Sequence, residues 1–146
     1  MVRPNIADRY SHSLQLFVAG DPDASAHLIL PRIETAIRQV AVARGLPALQ
    51  VAYGSLGRIS YLAALLDQIE AGAIEEARQT WQYLRLLLVD GRGAALRNVL
   101  SHGLRSDSGT AEPVSRQEAA LLLHAAMILS ALDANGDLPI QFNYQP

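Results

Sequence analysis

The feature that most constrains the fold of this chain is an apolar stripe at helical spacing between residues 22 and 44. Its members recur every three or four residues, as on one face of an α-helix: Ala26, Ile29, Leu30, Ile33, Ile37 and Val40. Asp21 followed by Pro22 is a favourable N-cap and first-turn pair. Pro31 removes one backbone donor inside the segment, but the stripe keeps its phase across it. The pattern predicts one long, kinked helix over 22–44.

Apolar stripes of the same period predict further helices on both sides of this one. They cover residues 6–19, 57–71, 74–89 and 116–133, with a short helix after the tight turn at 90–93. In the first, we expect Tyr10, Leu14, Phe17 and Val18 to lie on one side. In the helix over 74–89, the helical spacing of Trp81 predicts that it is a core residue. Ser115 and Glu118 have the spacing of a capping box at the start of the last helix.

Composition also favours a helical bundle. Half of the residues are apolar but only 5% are aromatic, so Leu, Ala, Ile and Val must fill the core. A chain of 146 residues is long enough for one domain with a single core. We therefore predict an all-α, compact bundle of about five or six helices in residues 1–133. Residues 134–146 form a C-terminal tail, and a short extended segment is expected near residues 49–53.

Several classes of protein are disfavoured by what the sequence lacks. Without cysteine there is no disulfide framework and no thiolate metal site or nucleophile. His12, His27 and His124 fall on separate predicted helices without companions at metal-ligand spacing, so we expect neither a metal nor a cofactor. The first residues lack the apolar core of a secretory signal, and the apolar runs are too short or too near charges to cross a bilayer. We therefore expect a soluble, cytoplasmic protein without a membrane partner.

One short string stands apart from these structural patterns. It reads Asp90-Gly91-Arg92-Gly93-Ala94-Ala95-Leu96-Arg97-Asn98-Val99-Leu100-Ser101-His102-Gly103. On a helix, Asn98 and His102 share one stripe, and Arg97 and Ser101 share the neighbouring one. Histidine exchanges protons near neutral pH, and the planar fork of arginine fits phosphate oxygens. This combination is suited to holding or cleaving a phosphodiester.

The charge around the string supports an anionic partner only locally. The formal net charge of −2 provides no overall attraction to nucleic acid, and all basic residues are arginines. The stretch from Arg78 to Arg105, however, contains five arginines and only one acidic residue, Asp90. A local field of this kind can attract anions to a protein of nearly neutral charge. A solvated helix face explains the same arginines equally well.

A structural role is the alternative for the string itself. Gly103 is placed as a residue that ends a helix, and His102 in the last turn complements the helix dipole. Asn98 can bind a neighbouring loop, and Arg97 can neutralise a buried carboxylate. The residue types and their spacing leave both interpretations open.

The string resembles a known signature. Arg97-Asn98-Val99-Leu100-Ser101-His102 is similar to the Arg–polar–x3–His motif of the HEPN superfamily (higher eukaryotes and prokaryotes nucleotide-binding), whose domains are compact helical bundles. Blocks at residues 10–16, 20–28, 31–34 and 89–98 extend the resemblance over roughly residues 8–104. In these blocks the chain is similar to the C-terminal domain of a bacterial HEPN-type family of unknown function.

The resemblance implies a metal-independent endoribonuclease, since many HEPN domains have this activity in toxin–antitoxin, phage-defence and CRISPR-associated systems. By this likeness His102 handles the proton of the 2′-hydroxyl or of the leaving group, and Arg97 stabilises the phosphorane charge. Asn98, Ser101 and Arg92 would contact the substrate. Attack by a ribose 2′-hydroxyl needs only proton transfer and charge stabilisation.

The resemblance also implies partners. HEPN protomers usually pair so that both motif helices line one cleft, which predicts a homodimer. RNA and an antitoxin or fused partner domain are the other expected partners. The alternative is a non-catalytic helical dimerisation or nucleotide-binding module, in which Arg97, Asn98 and His102 brace the helix ends.

Overall fold

The computed structural model describes residues 4–47, 49–50, 58–59, 61–102 and 112–137. Within these ranges the helices are α1 (Pro4–Val18), α2 (Pro22–Ala43), α3 (Leu62–Ala71), α4 (Glu75–Leu88), α5 (Leu96–His102) and α6 (Arg116–Ala131). Two short segments, β1 (Leu49–Gln50) and β2 (Arg58–Ile59), pair antiparallel. The prediction of an all-α bundle of five or six helices is confirmed.

Helix α2 is the centre of the bundle. It packs against α1, α3 and α6, and its apolar stripe is buried, with Ile29 and Ile37 fully inaccessible to solvent. The side chain of Asp21 accepts a hydrogen bond from the Ala24 amide at 3.0 Å and caps the helix. The helix is continuous through Pro31. The prediction of one long helix is thus confirmed, because apolar packing on three sides outweighs the loss of one backbone hydrogen bond.

Trp81 is a core residue of α4, as its spacing predicts. Its ring is fully buried on α4, and its Nε1 donates to the carbonyl of Gly136 at 2.8 Å. Burial of a large apolar side chain contributes about 1.5–3 kcal/mol. The segment after α6 is therefore held against α4, and the described part of the proposed tail, residues 134–137, contacts the core. Arg44 also binds this segment through the carbonyl of Asn135 and the carboxylate of Asp137.

The inward face of α1 differs from the expectation. Tyr10 and Phe17 pack against the core, but Leu14 is 40% exposed and Val18 is 72% exposed. Ser13 is buried instead, where its hydroxyl donates to the Ser25 carbonyl at 2.8 Å and lies 2.9 Å from the Ser25 hydroxyl. Small hydroxyl side chains let α1 and α2 approach closely while their polar atoms stay hydrogen-bonded.

Helix boundaries differ from the prediction mainly at α3. It begins at Leu62 rather than near residue 57, because residues 58–59 form β2 and Tyr61 has an extended backbone. The start of α6 is as predicted: Ser115 accepts from the Glu118 amide, and the Glu118 carboxylate accepts from the Ser115 amide at 2.8 Å. None of the helices in the described ranges has the length and apolar character needed to cross a membrane.

Candidate functional site

The string singled out in the sequence begins with a tight turn between α4 and α5. The Gly93 amide donates to the Asp90 carbonyl at 2.9 Å, and the Asp90 carboxylate accepts from the Arg92 amide at 2.9 Å. The Arg92 guanidinium also binds this carboxylate, with Nη2 2.6 Å from Oδ2. These bonds hold the pKa of the Asp90 carboxyl well below its usual range. The turn is thus fixed by one ionised carboxylate.

Arg85 connects the turn to the bundle. Its Nη1 donates to Asp90 Oδ2 at 2.6 Å, and its Nε donates to Glu70 Oε2 at 2.6 Å. The hydrogen bond to Glu70, and then the charges of Glu70 and Asp90, raise the pKa of the Arg85 guanidinium despite the opposing effect of burial. Through Arg85 the turn is linked to α3 as well as α4.

Backbone geometry then sets the start of α5. Gly93 lies directly against α4, where an added Cβ would be 2.8 Å from the carbonyl carbon of Leu86. Ala95 has a φ of +45°, in the left-handed region that a residue with a Cβ rarely adopts. The Ala95 carbonyl accepts from the Asn98 amide at 2.9 Å, which opens the helix. Leu96, the first residue of α5, lies in the core, where it is 3% exposed.

The two polar residues at the start of α5 bind its neighbours. Asn98 Nδ2 donates to the carbonyl of Val89 at 3.0 Å, next to the end of α4. Arg97 Nε donates to Glu34 Oε1 on α2 at 3.1 Å, and its Nη1 lies 3.4 Å from Asn98 Oδ1. The side chains of Arg97 and Glu34 are 26% and 22% exposed. Arg97 is therefore held in one orientation at a partly buried position that solvent can still reach.

The expected local excess of positive charge is largely balanced by carboxylates. The described arginines of this region all have acidic partners: Arg78 with Glu75, Arg85 with Glu70 and Asp90, Arg92 with Asp90, and Arg97 with Glu34. Arg105 lies outside the described residues. Three of these four acids, Glu34, Glu70 and Glu75, lie on α2, α3 and α4, outside residues 78–105, over which the charges were counted. The site is thus a set of paired charges.

The residues proposed from the sequence are distributed unevenly. Arg97 and Asn98 touch each other at the start of α5, whereas the Arg92 side chain is bound to Asp90 in the preceding turn. Ser101 and His102 form the last turn of α5, and their side chains lie outside the described part of the structure. The helical backbone places residue 102 one turn beyond Asn98.

Sequence reasoning missed the partner of Arg97 and the surface beside it. No sequence pattern singled out Glu34, yet this residue of α2 binds the arginine of the string. A pocket of about 230 Å³ lies between α2 and α5, lined by His27, Leu30, Pro31, Glu34 and Leu100. The available signal was the spacing on α2, since His27, Pro31 and Glu34 recur at intervals of four and three and thus share one face.

The described residues contain no group of three His, Asp or Glu side chains able to hold a metal ion. The chain matches no protein-family model, no curated protein sequence and no solved structure. The case for a function therefore rests on the residues at the junction of α2 and α5.

Proposed function

We propose that this chain is a metal-independent ribonuclease domain of the HEPN type, acting as a homodimer in a toxin or phage-defence context. The observation that carries the proposal is the fixed orientation of Arg97. Glu34 and Asn98 hold its guanidinium at a partly exposed position beside a pocket, on the same short helix as His102. A fixed cation and a histidine on one short helix are the two kinds of group that phosphodiester cleavage by an internal hydroxyl needs.

In the proposed reaction, His102 accepts the proton of a ribose 2′-hydroxyl while the 2′-oxygen attacks the adjacent phosphorus. Arg97 stabilises the charge that develops on the phosphorane oxygens. A guanidinium has five N–H donors, and the contacts with Glu34 and Asn98 use Nε and one N–H of Nη1. The bond from phosphorus to the 5′-oxygen then breaks, and that oxygen takes up a proton from water, which leaves a 2′,3′-cyclic phosphate and a 5′-hydroxyl.

The balanced charges favour a short single-stranded substrate. Because the arginines around the site are paired with carboxylates, few of them are available for additional phosphates. Affinity should therefore depend on a small number of phosphate contacts and decline only modestly with salt.

A second candidate is a non-catalytic dimerisation or nucleotide-binding module. It is favoured by the same contacts, because Asn98 bonded to Val89 and Arg97 paired with Glu34 are what a helix brace requires. A pure brace makes Arg97 important for stability but assigns no chemistry to His102.

Cleavage of single-stranded RNA in EDTA separates the two candidates. We would compare the wild type with Arg97→Ala and His102→Ala, using Arg78→Ala and His12→Ala as controls at exposed positions on α4 and α1. Circular dichroism would verify that each variant is folded. Loss of cleavage in the two folded site variants, but not in the controls, supports the ribonuclease.

Absence of cleavage by the wild type, together with lower stability of both site variants, supports the brace. Detection of the 2′,3′-cyclic phosphate end provides an independent check of the chemistry. A product with a 3′-hydroxyl would contradict the proposed internal attack.

A further inference from the structure

Helix α6 is apolar on more of its surface than the neighbouring helices cover. From Ala119 to Leu132 the sequence contains no acidic residue, lysine or arginine, and only His124 and Ser130 are polar. One side of α6 packs against α1 and α2. A helix that is apolar all round is normally buried on all sides. Met127 is nevertheless 50% exposed, so another face of α6 is left uncovered by the residues that the structure describes.

Beside this face lies a pocket of about 380 Å³ between α4 and α6. Its described lining consists of Gln79, Thr80, Tyr83, His124, Ile128 and Ala131. None of these residues is a carboxylate, an arginine or a lysine. The Tyr83 hydroxyl lies 2.9 Å from His124 Nδ1, so these two polar groups already bind each other. The pocket therefore suits an uncharged apolar segment better than a ligand that carries phosphate.

The residues that follow the described part of the chain have a matching composition. Residues 138–146 contain no charged residue, and their apolar members alternate along the sequence. In an extended backbone, alternate side chains point to the same side, so one face of this segment would be apolar. Segments that stay solvated are instead poor in aromatic and other apolar residues. The alternating members are Leu138, Ile140, Phe142 and Tyr144.

The last described residues are held against a helix that lines the pocket. Trp81 of α4 donates to the Gly136 carbonyl at 2.8 Å, one residue before the segment's attachment at Asp137. Along α6 the pocket extends from Ala131 back to His124, which is about 10 Å. The nine residues 138–146 span about 30 Å when extended. The segment is thus long enough to reach the pocket and lie along it.

We propose that residues 138–146 dock in the pocket between α4 and α6 of their own chain, with their apolar face turned inward. Attachment at Asp137 favours this occupant, because a short tether gives an effective concentration in the millimolar range. A second copy at micromolar concentration competes poorly with it for the same pocket. The docked segment completes the apolar surroundings of α6, and this inference does not depend on the proposed ribonuclease activity.

Labelling of a single thiol tests whether the segment covers the pocket. The chain has no cysteine, so Ala131→Cys introduces one thiol at a residue that lines the pocket. In this background we would compare the unchanged segment with the pair Ile140→Asp and Phe142→Asp, which places charges on the apolar face. The pair Gln141→Asp and Asn143→Asp is the matched control, because it adds the same charge at the alternate positions. Circular dichroism verifies folding.

We expect the Ile140 and Phe142 substitutions to accelerate labelling at position 131 by about tenfold or more, as when docking holds more than about nine-tenths of the molecules. The matched control should label at the rate of the unchanged segment. Dilution should leave the protection unchanged, because docking within one chain does not depend on protein concentration.

Two further thiols make the measurement independent of one position. Thr80→Cys places the thiol on the α4 side of the pocket, in case a change at position 131 disturbs docking, and should give the same pattern. Val18→Cys lies on α1, where the native side chain is 72% exposed. Its labelling rate should be the same with every version of the segment.

Other results would overturn the inference in distinguishable ways. Equal labelling at positions 80 and 131 with all versions of the segment would show that it does not cover the pocket. Equal acceleration by both aspartate pairs would mean that the apolar face is not what binds. Protection that is lost on dilution would assign the covering segment to a second copy of the chain.

Discussion

Ala95 carries backbone strain at the residue that precedes α5. Its φ of +45° brings Cβ close to the following carbonyl, which costs a residue other than glycine about 1–2 kcal/mol. The strain persists because Leu96 on one side is buried and Gly93 on the other is packed against α4. Strained residues of this kind cluster at functional sites, where the surrounding structure maintains them.

Replacing Ala95 with glycine should therefore stabilise the protein. Glycine adopts positive φ without steric cost, and the gain exceeds the added entropy of the unfolded chain, so we expect up to about 1 kcal/mol of additional unfolding free energy. Urea denaturation followed by the fluorescence of Trp81 measures this change. Ala95→Val should have the opposite sign, because a β-branched side chain tolerates positive φ least. A glycine variant that is less stable than the wild type would contradict the geometry of the turn.

Gly93 should respond in the opposite way to Ala95. A methyl group at this position would lie 2.8 Å from the carbonyl carbon of Leu86, which is backbone and cannot move aside easily. We expect Gly93→Ala to lower the unfolding free energy by about 1–3 kcal/mol, as in other overpacked sites, and to shift α5 away from α4. Gly91→Ala is the matched control, because a Cβ there meets no atom within 4 Å. Equal stabilities of the two variants would show that α5 does not pack as closely as described.

At the scale of elements, α5 is a helix of seven residues, too short to be stable by itself. Its position depends on side chains that reach two other helices: Asn98 toward α4 and Arg97 toward α2. The turn before it depends on Asp90, which binds Arg92 within the turn and Arg85 on α4. The geometry of the proposed site is therefore coupled to the ionisation of one carboxylate.

This coupling predicts a pH dependence of stability. Because the folded structure lowers the pKa of Asp90, the folded state binds protons less readily than the unfolded state at this residue. Its contribution is complete above the ordinary aspartate pKa of about 4 and declines as the pH falls further, toward the lower pKa of the folded state. The stability difference between the wild type and Asp90→Asn, measured by urea unfolding, should thus be larger at neutral pH than in acid.

Arg92→Gln tests the cause. The hydrogen bonds from the Arg92 side chain and then from its amide are the largest contributions to the low pKa of Asp90. In this variant the pH-dependent part of the difference should diminish, while the bond from Arg85 remains. A difference that is constant from acid to neutral pH would mean that Asp90 acts through hydrogen bonding alone.

Features encoded locally were the ones that the sequence predicted well. The long α2, the capping box at Ser115 and the core position of Trp81 each follow from periodicity or capping within a few residues. The prediction of which side of α1 faces inward was wrong in part, because the polar Ser13 takes the place of an apolar residue where α1 approaches α2 closely. The pairing of Arg97 with Glu34 joins residues 63 positions apart. Such a pairing depends on how α2 and α5 pack, which no local pattern specifies.

For the whole molecule, the arrangement around α2 leaves the proposed site at one side of the bundle. α5 packs against α4, and the Arg92 side chain beside it is 75% exposed. Another pocket, of about 380 Å³, lies between α4 and α6, where Tyr83 contacts His124 and Gln79 contributes to the lining. The surface around α5 and the pocket between α4 and α6 are separate candidates for contact with a second copy of the chain. A seven-residue helix provides only one side of a cleft, and two copies related by a two-fold axis would complete it.

We therefore predict a symmetric homodimer in which the two α5 helices face each other. Light scattering at tens of micromolar should give twice the chain mass of 15.8 kDa, and a monomer would contradict the prediction. Because the chain has no cysteine, single introduced cysteines locate the interface without background. Ser101→Cys, on the last turn of α5, should form an intermolecular disulfide under mild oxidation, whereas Gln79→Cys should not. Cross-linking through residue 79 instead would place the interface at the groove between α4 and α6, and would leave each copy of the proposed site to act alone.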